Sequence, residues 1–147
     1  MKKKYIRDGR APIPESEITS KVMSAVRGKD TKPELALRKA LRDVGIPGYR
    51  LHWKRAAGRP DIAYPGSKVA IFVHGCFWHR CPHCNPSLPK SHTDFWKKKF
   101  ERNILRDLAK VHALETDNWK VFILWECEIR KDVISCAKKV NVFIDRK

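Results

Sequence analysis

Three of the five cysteines fall within nine residues, and this spacing constrains the fold more than any other local feature of the chain. The group reads Cys76-x4-Cys81-x2-Cys84. Structural zinc takes four tetrahedral Cys or His ligands, often from one close group joined by a distant residue. Cys127, at the end of a later apolar stretch, is the distant candidate. The sequence therefore predicts a structural zinc site in the loop 75–92.

The identity of the remaining ligand stays open at this stage. His79 and His83 both lie inside the cysteine group, so either one competes with Cys127 for the fourth position. Buried free thiols are the simpler alternative for single cysteines, and Cys136, on an apolar helix face, is predicted to be such a core residue. Three cysteines beside two prolines in one loop favour the metal.

The charge of the chain indicates a polyanionic partner. Thirty-two Lys and Arg residues against 16 Asp and Glu give a net charge of +16, and phosphate neutralisation by such residues releases counterions. A ribosomal or merely solubilising basic surface is the alternative. No apolar run of transmembrane length and no signal peptide are present in the sequence, so we expect a cytoplasmic bacterial protein that associates with the nucleoid when it acts, without a membrane partner.

The pattern of apolar residues predicts one domain at 18–147, preceded by a flexible basic arm at 1–17. The element order is α-α-β-β-β-α-β-α, a mixed α/β sheet flanked by helices. Thr31-Lys32-Pro33-Glu34 is typical of a capping box that begins a helix ending at Gly45. A long helix at 93–115 places five apolar residues on one face: Trp96, Phe100, Ile104, Leu108 and Val111. A strand at 119–125 and a last helix at about 129–140 follow.

Pro60-Asp61 is the first candidate for catalysis. Asp61 precedes a short strand, and the turn Pro65-Gly66 leads into an apolar strand that ends at His74. Asp61 and His74 can thus meet at one end of a hairpin. A carboxylate that holds Mg²⁺ and a histidine that titrates near neutrality suit phosphodiester cleavage. Taken alone, Asp61 is more readily explained by turn capping than by catalysis.

Longer motifs make the pattern specific. Gly58-Arg59-Pro60-Asp61 is followed by Val73-His74-Gly75-Cys76-Phe77-Trp78-His79, then by Phe95-Trp96, Asn103-x-x-Arg106-Asp107 and Trp125-Glu126-Cys127. With Ser20-Lys21-x-Met23 and Thr31-x-x-Glu34, these motifs cover about residues 18–130. In this order they resemble the very short patch repair (Vsr-type) DNA mismatch endonucleases.

The resemblance implies a restriction-endonuclease-like fold of the PD-(D/E)XK type. It also implies an enzyme that nicks one strand of double-stranded DNA beside a T:G mismatch, which arises when 5-methylcytosine deaminates. A monomer with two catalytic Mg²⁺ ions and one structural Zn²⁺ is expected, with mismatch-repair proteins as candidate partners. The flanking recognition sequence and the cognate methyltransferase are left open.

The same resemblance assigns roles to the acids and histidines. Asp61 bridges the Mg²⁺ ions together with the main-chain carbonyl of Val73, and Glu34 holds metal-bound waters. His79 is the general base, oriented by Asp107, and His74 stands by the scissile phosphate and leaving group. Each residue has a rival interpretation: Glu34 is also the capping-box glutamate, Asp107 a solvent-facing ion-pair partner, and His79 a zinc ligand.

The resemblance further implies a DNA-intercalating set: Phe77, Trp78 and Trp96 from the major groove and Met23 from the minor groove. Core packing is the alternative for Trp96. The zinc set implied is Cys76, Cys81, Cys84 and Cys127. The spacing in this loop departs from the family by about one residue, which leaves His83 as an alternate to Cys84.

Two other functions remain compatible with these residues. A restriction-like nuclease of different DNA specificity would share the fold and the acids. The usual acid-x-Lys of the class is replaced here by Phe72-Val73-His74, which leaves an inactive relative as a further alternative. A non-catalytic zinc-containing DNA-binding protein would share the charge and the cysteines.

Overall fold

A computed structural model describes residues 30–144. The predicted arm at 1–17, the predicted first helix and Met23 lie outside the described residues. The described part contains three helices and four strands: α1 (Lys32–Asp43), β1 (Arg50–Leu51), β2 (Ile62–Tyr64), β3 (Val69–His74), α2 (Thr93–Thr116), β4 (Lys120–Trp125) and α3 (Glu126–Asn141). This order agrees with the predicted one from its second helix onward. Across residues 30–144, no helix has the length and apolar character that a membrane span needs.

The four strands form one mixed sheet in the order β1-β2-β3-β4. β1, β2 and β3 are antiparallel neighbours, whereas β3 and β4 are parallel. A parallel pair needs a long crossover, and α2 provides it. The prediction of a mixed α/β sheet flanked by helices is therefore confirmed.

The start of α1 has the predicted capping box. The Thr31 backbone N–H donates to Glu34 Oε2 at 2.7 Å, and the Glu34 N–H donates to Thr31 Oγ1 at 3.4 Å. Leu37 and Leu41, on the same face of the helix as Glu34, are fully buried in the main hydrophobic core between α1, α3 and the sheet. Cys136 belongs to this core, as predicted. The capping box thus fixes Glu34 at the helix end nearest the sheet edge where β2 begins.

α2 differs from the expected amphipathic helix. Trp96 and Phe100 are buried, but Ile104 and Leu108 are 40% and 61% exposed. The positions that face the protein follow a helical repeat of three and four residues: Trp96, Phe100, Asn103, Asp107, Lys110 and Leu114. In the middle of α2, polar rather than apolar side chains therefore point towards the rest of the chain.

Candidate active site

Asp61 lies where the chain enters β2, and backbone geometry fixes it against β3. Its Oδ2 accepts a hydrogen bond from the Val73 backbone N–H at 2.8 Å. Burial raises the pKa of Asp61 to about 6; the Val73 N–H acts against this shift and the charge of Glu34 adds to it. A buried carboxyl with this pKa is costly to ionise unless a cation compensates it.

A glycine allows the loop before Asp61 to approach α2. Gly58 has φ +72°, and a Cβ atom there would lie 2.7 Å from Cβ and Cγ of Lys110. Both the backbone conformation and the close contact exclude larger residues. The glycine of Gly58-Arg59-Pro60-Asp61 thus lets the loop that carries Asp61 pack on the helix that carries Asp107.

Two histidines stack at the end of β3. His74 is the last residue of that strand and is 5% exposed. The His74 and His79 rings are parallel within 8°, with centroids 3.9 Å apart. His79 Nδ1 lies 2.6 Å from Asp107 Oδ2. Ligand atoms of His74, His79 and Asp107 all lie within 4.8 Å of one another, so the three side chains form one cluster beside the residue bonded to Asp61.

The two histidines of this cluster lie in different electrostatic surroundings. Burial, followed by the neighbouring His79, lowers the pKa of His74 to about 4, so His74 is neutral at physiological pH. Burial alone would raise the pKa of Asp107, but the hydrogen bond and charge of His79 outweigh it and lower the pKa overall. When the His79 ring is neutral, an ionised Asp107 accepts a hydrogen bond from the Nδ1–H, and this tautomer leaves Nε2 as a proton acceptor.

Two side chains of α2, one helical turn apart, hold the loop after β3. Asn103 Nδ2 donates to the Trp78 carbonyl at 3.1 Å, and Asp107 bonds the next residue, His79. Residues at i and i+4 lie on one helix face, which explains the spacing in Asn103-x-x-Arg106-Asp107. The orientation of His79 is therefore determined by α2 rather than by its own loop.

The aromatic residues proposed for intercalation pack on one another. Phe77 makes edge contacts with Trp78 (centroids 5.0 Å apart) and Trp96 (5.8 Å). Trp96 is 7% exposed and stacks on Phe100, whereas Phe77 and Trp78 are half-buried. Trp96 thus lies in the interior of this aromatic cluster, whereas Phe77 and Trp78 lie at its surface.

The cysteines converge as the zinc hypothesis requires. The Sγ atoms of Cys76, Cys81, Cys84 and Cys127 all lie within 4.8 Å of one another, although Cys127 is the second residue of α3 rather than the end of β4. His83 instead pairs with Glu128, Nε2 to Oε1, at 3.1 Å. Four thiols within this distance suit tetrahedral zinc, and the geometry favours Cys84 over His83.

Comparisons with known proteins find relatives that are named as endonucleases or nicking enzymes. A family model described as "DNA mismatch endonuclease Vsr" matches residues 13–85. The chain is 44% identical over 108 residues to the type II nicking enzyme V.XorIIP of Xanthomonas oryzae, which covers 74% of this chain and 79% of the relative. It is 42% identical over 121 residues to the type II nicking enzyme V.NmeAIP of Neisseria meningitidis, covering 82% and 84%. It is 35% identical over 121 residues to DNA mismatch endonuclease Vsr of Escherichia coli, covering 82% and 76%.

The chain belongs to the Vsr family. It is therefore a DNA endonuclease, and the predictions of family and enzyme class are confirmed. The mixed sheet is consistent with the restriction-endonuclease-like fold expected for a Vsr-family protein.

Two residues of this Vsr-family site were not found from sequence. Lys110 contacts the Gly58 loop and acts on the charges of His74 and Asp107; its position three residues after Asp107 was the available signal. His52 lies with Glu34 and Asp61 in a second cluster whose ligand atoms are within 4.8 Å. Its signal was weaker, because a single histidine after a two-residue strand is common.

Proposed function

We propose that this endonuclease nicks one strand of double-stranded DNA beside a T:G mismatch, of the kind that deamination of 5-methylcytosine produces. The observation that carries the proposal is the His79–Asp107 pair, stacked on a neutral His74 next to the Val73–Asp61 hydrogen bond. A DNA endonuclease with this arrangement has a base, its orienting acid and a metal-binding acid in one place. The name of the Escherichia coli relative, DNA mismatch endonuclease Vsr, supports the mismatch as substrate.

The metal in this proposal is Mg²⁺, with two ions held by Asp61 and by the main-chain carbonyl of Val73, and with Glu34 holding bound waters. The residues fit a divalent cation. Glu34 is 3% exposed, and among residues 30–144 its buried Oε1 has no hydrogen-bond partner. A cation would offset both this unpaired oxygen and the unfavourable ionisation of Asp61. When bound, Mg²⁺ supplies charge neutralisation at the attacked phosphate.

His79 and Asp107 have different roles in the proton transfer. His79 accepts a proton from the attacking water at Nε2, because Nδ1 already donates to Asp107. Asp107 keeps the ring oriented and stabilises the imidazolium that forms. His74, neutral and buried, stands by the scissile phosphate and leaving group.

The cysteine cluster is proposed to bind one structural Zn²⁺. Its role is positional, since Cys76 directly precedes Phe77, Trp78 and His79. Zinc there would hold the base and the aromatic surface in a loop that contains little regular structure.

Phe77 and Trp78 are proposed to insert beside the mismatch, with Trp96 as the third member of the wedge and Met23 entering from the other groove. Stacking on bases offsets an unstacking cost of a few kcal/mol per step. A mismatched pair reduces that cost, and this difference favours T:G over a paired site.

The test uses two labelled duplexes that differ only in a central T:G or C:G pair. With Mg²⁺, wild-type protein and the Asp94→Ala variant, whose substitution lies at an exposed position of α2, should nick the T strand of the T:G duplex. The Asp61→Ala variant should nick neither duplex. Equal cutting of both duplexes would instead support a restriction-like nuclease, and tight binding without cleavage would support a non-catalytic DNA-binding protein.

A further inference from the structure

His52 is held opposite Asp61 by the sheet. Leu51 pairs with Ile62 in the antiparallel β1–β2 ladder, and the next residue, His52, donates its backbone N–H to the Asp61 carbonyl at 3.0 Å. The backbone of His52 has φ +46°, a left-handed conformation in which histidine, asparagine and aspartate are enriched among the residues other than glycine. The fold thus keeps an imidazole next to the acid that binds metal in the proposed reaction.

Beside His52, one buried carboxylate oxygen of Glu34 has no hydrogen-bond partner within residues 30–144. One oxygen each of Glu34 and Asp61 and one ring nitrogen of His52 lie within 4.8 Å of one another. Glu34 Oε2 is occupied by the Thr31 N–H, whereas the buried Oε1 accepts no hydrogen bond from any residue of 30–144. Capping of α1 explains the first oxygen but not the second. A buried carboxylate oxygen without a protein donor needs a further partner, and next to the Asp61 carboxyl a cation would supply it.

The contacts that His52 makes with Asp30 and Arg38 are too long to explain its position by a purely structural role. Its Nε2 lies 3.4 Å from Asp30 Oδ1 and 3.5 Å from Arg38 Nη2, both at the limit of hydrogen bonding. Asp30 already has a short ion pair with Arg38, at 2.6 Å. Asp30 and Arg38 therefore pair without His52, although the buried Nε of Arg38 has no hydrogen-bond partner within residues 30–144.

We propose that His52 is a nitrogen ligand of a divalent-metal site shared with Glu34 and Asp61, and that it makes this site bind Mn²⁺ more tightly than Mg²⁺. Mn²⁺ shares the carboxylate preference of Mg²⁺, but as a transition-metal ion it also accepts an imidazole nitrogen, whereas Mg²⁺ prefers oxygen ligands throughout. The inference rests on the proposed function only in that both place a metal on Asp61.

The test measures metal binding without DNA, in zinc-loaded protein. Mn²⁺ affinity comes from the electron paramagnetic resonance signal of free Mn²⁺, Mg²⁺ affinity from competition, and nitrogen ligation from the ¹⁴N coupling in the pulsed spectrum of bound Mn²⁺. Asparagine tolerates a positive φ, so His52→Asn should fold, which its thermal unfolding checks. This variant should lose the ¹⁴N coupling and about tenfold in Mn²⁺ affinity, a loss of the size seen when groups around a metal are removed, with a much smaller change for Mg²⁺.

Two control variants test whether the ¹⁴N coupling comes from His52. His112→Asn, at an exposed position of α2, should behave as wild type. His79→Gln should keep the ¹⁴N coupling, because His79 belongs to the other cluster. The proposal is overturned if the coupling survives in His52→Asn, if it disappears in His79→Gln, or if Mn²⁺ and Mg²⁺ affinities fall equally.

The T:G nicking assay separates this inference from the proposed function. Nitrogen ligation by His52 without mismatch-specific nicking would contradict only the proposed function. Mismatch-specific nicking without nitrogen ligation by His52 would contradict only the inference about His52.

Discussion

Nδ1 of His79 lies 2.6 Å from Oδ2 of Asp107 and ties the loop after β3 to the middle of α2. The two residues are 28 positions apart in the chain, so the pair exists only because α2 crosses back over the sheet. Its orientation determines which nitrogen of His79 is available to a water molecule.

Asp107→Asn should slow nicking strongly while leaving DNA binding intact. The amide cannot stabilise the imidazolium and allows the wrong tautomer of His79, so the single-turnover rate should fall about 100-fold, within the usual range for loss of general base catalysis. Quenched-flow nicking of the T:G duplex measures the rate, and Asp94→Asn on the same helix is the matched control. A rate close to that of wild type would show that Asp107 does not orient the base.

Asp61→Asn should stabilise the metal-free protein at neutral pH. In the folded state the pKa of Asp61 is raised from 3.8 to about 6, so folded protein binds this proton more tightly than unfolded chain. Between these two pH values the free energy of unfolding therefore falls as pH rises, and the penalty is complete above pH 6. Removing the charge should recover about 2 kcal/mol at pH 7.5.

The check is urea unfolding of both proteins in buffer free of Mg²⁺. The difference between variant and wild type should shrink by roughly half at pH 4.5, because Asp61 is then largely protonated in the folded state. Asp94→Asn serves as the surface control. A difference that is absent at pH 7.5, or that grows as pH falls, would contradict the raised pKa.

Cys84→Ala should lose zinc, and His83→Ala should keep it. Cys84 lies with three other thiols within bonding reach of one ion, whereas His83 pairs with Glu128. Elemental analysis should find about one zinc per chain in wild type and His83→Ala. It should find much less in Cys84→Ala, together with a lower melting temperature. Cys136→Ala, in the main core, controls for loss of a buried thiol, since it should destabilise the protein without releasing zinc.

Trp78→Ala and Trp96→Ala should differ in what they lose. Trp78 is half-buried at the surface of the aromatic cluster, so its removal should reduce the preference for T:G with little change in stability. Trp96 is 7% exposed, and its removal should cost about 3 kcal/mol of unfolding free energy as well. Denaturant unfolding and competitive binding of T:G and C:G duplexes measure the two effects. An unchanged stability of Trp96→Ala would show that its packing on Phe100 is incidental.

Much of this site could be predicted because its residues are close in sequence. The cysteines of 76–84 predict a metal site by spacing alone, and Thr31-x-x-Glu34 predicts a helix start, since both depend on local geometry. Asp61 and His74 were expected to meet because a short turn joins their strands. Asp61 instead accepts a hydrogen bond from the Val73 backbone N–H, and the side chains of Asp61 and His74 fall in two separate clusters. The assignment to the Vsr family depended on the order of several such motifs.

The face of α2 could not be predicted in the same way. Apolar periodicity favoured Ile104 and Leu108 as packed residues, yet Asn103 and Asp107 turn towards the chain and bond the loop of Trp78 and His79. A periodicity argument assumes that the inward face is apolar, and an active site breaks this assumption because its polar groups must be held inside.

The sequence by itself determined the zinc-loop cysteines, the helix cap and the strand that carries His74, because each depends on neighbours a few residues away. Only the tertiary structure decided which acids accompany each histidine. The crossover of α2 brings Asp107 to His79, and the β1–β2 register brings His52 to Asp61 and Glu34. These partners come from separate elements, and their distances follow from packing and strand register, which no local pattern encodes.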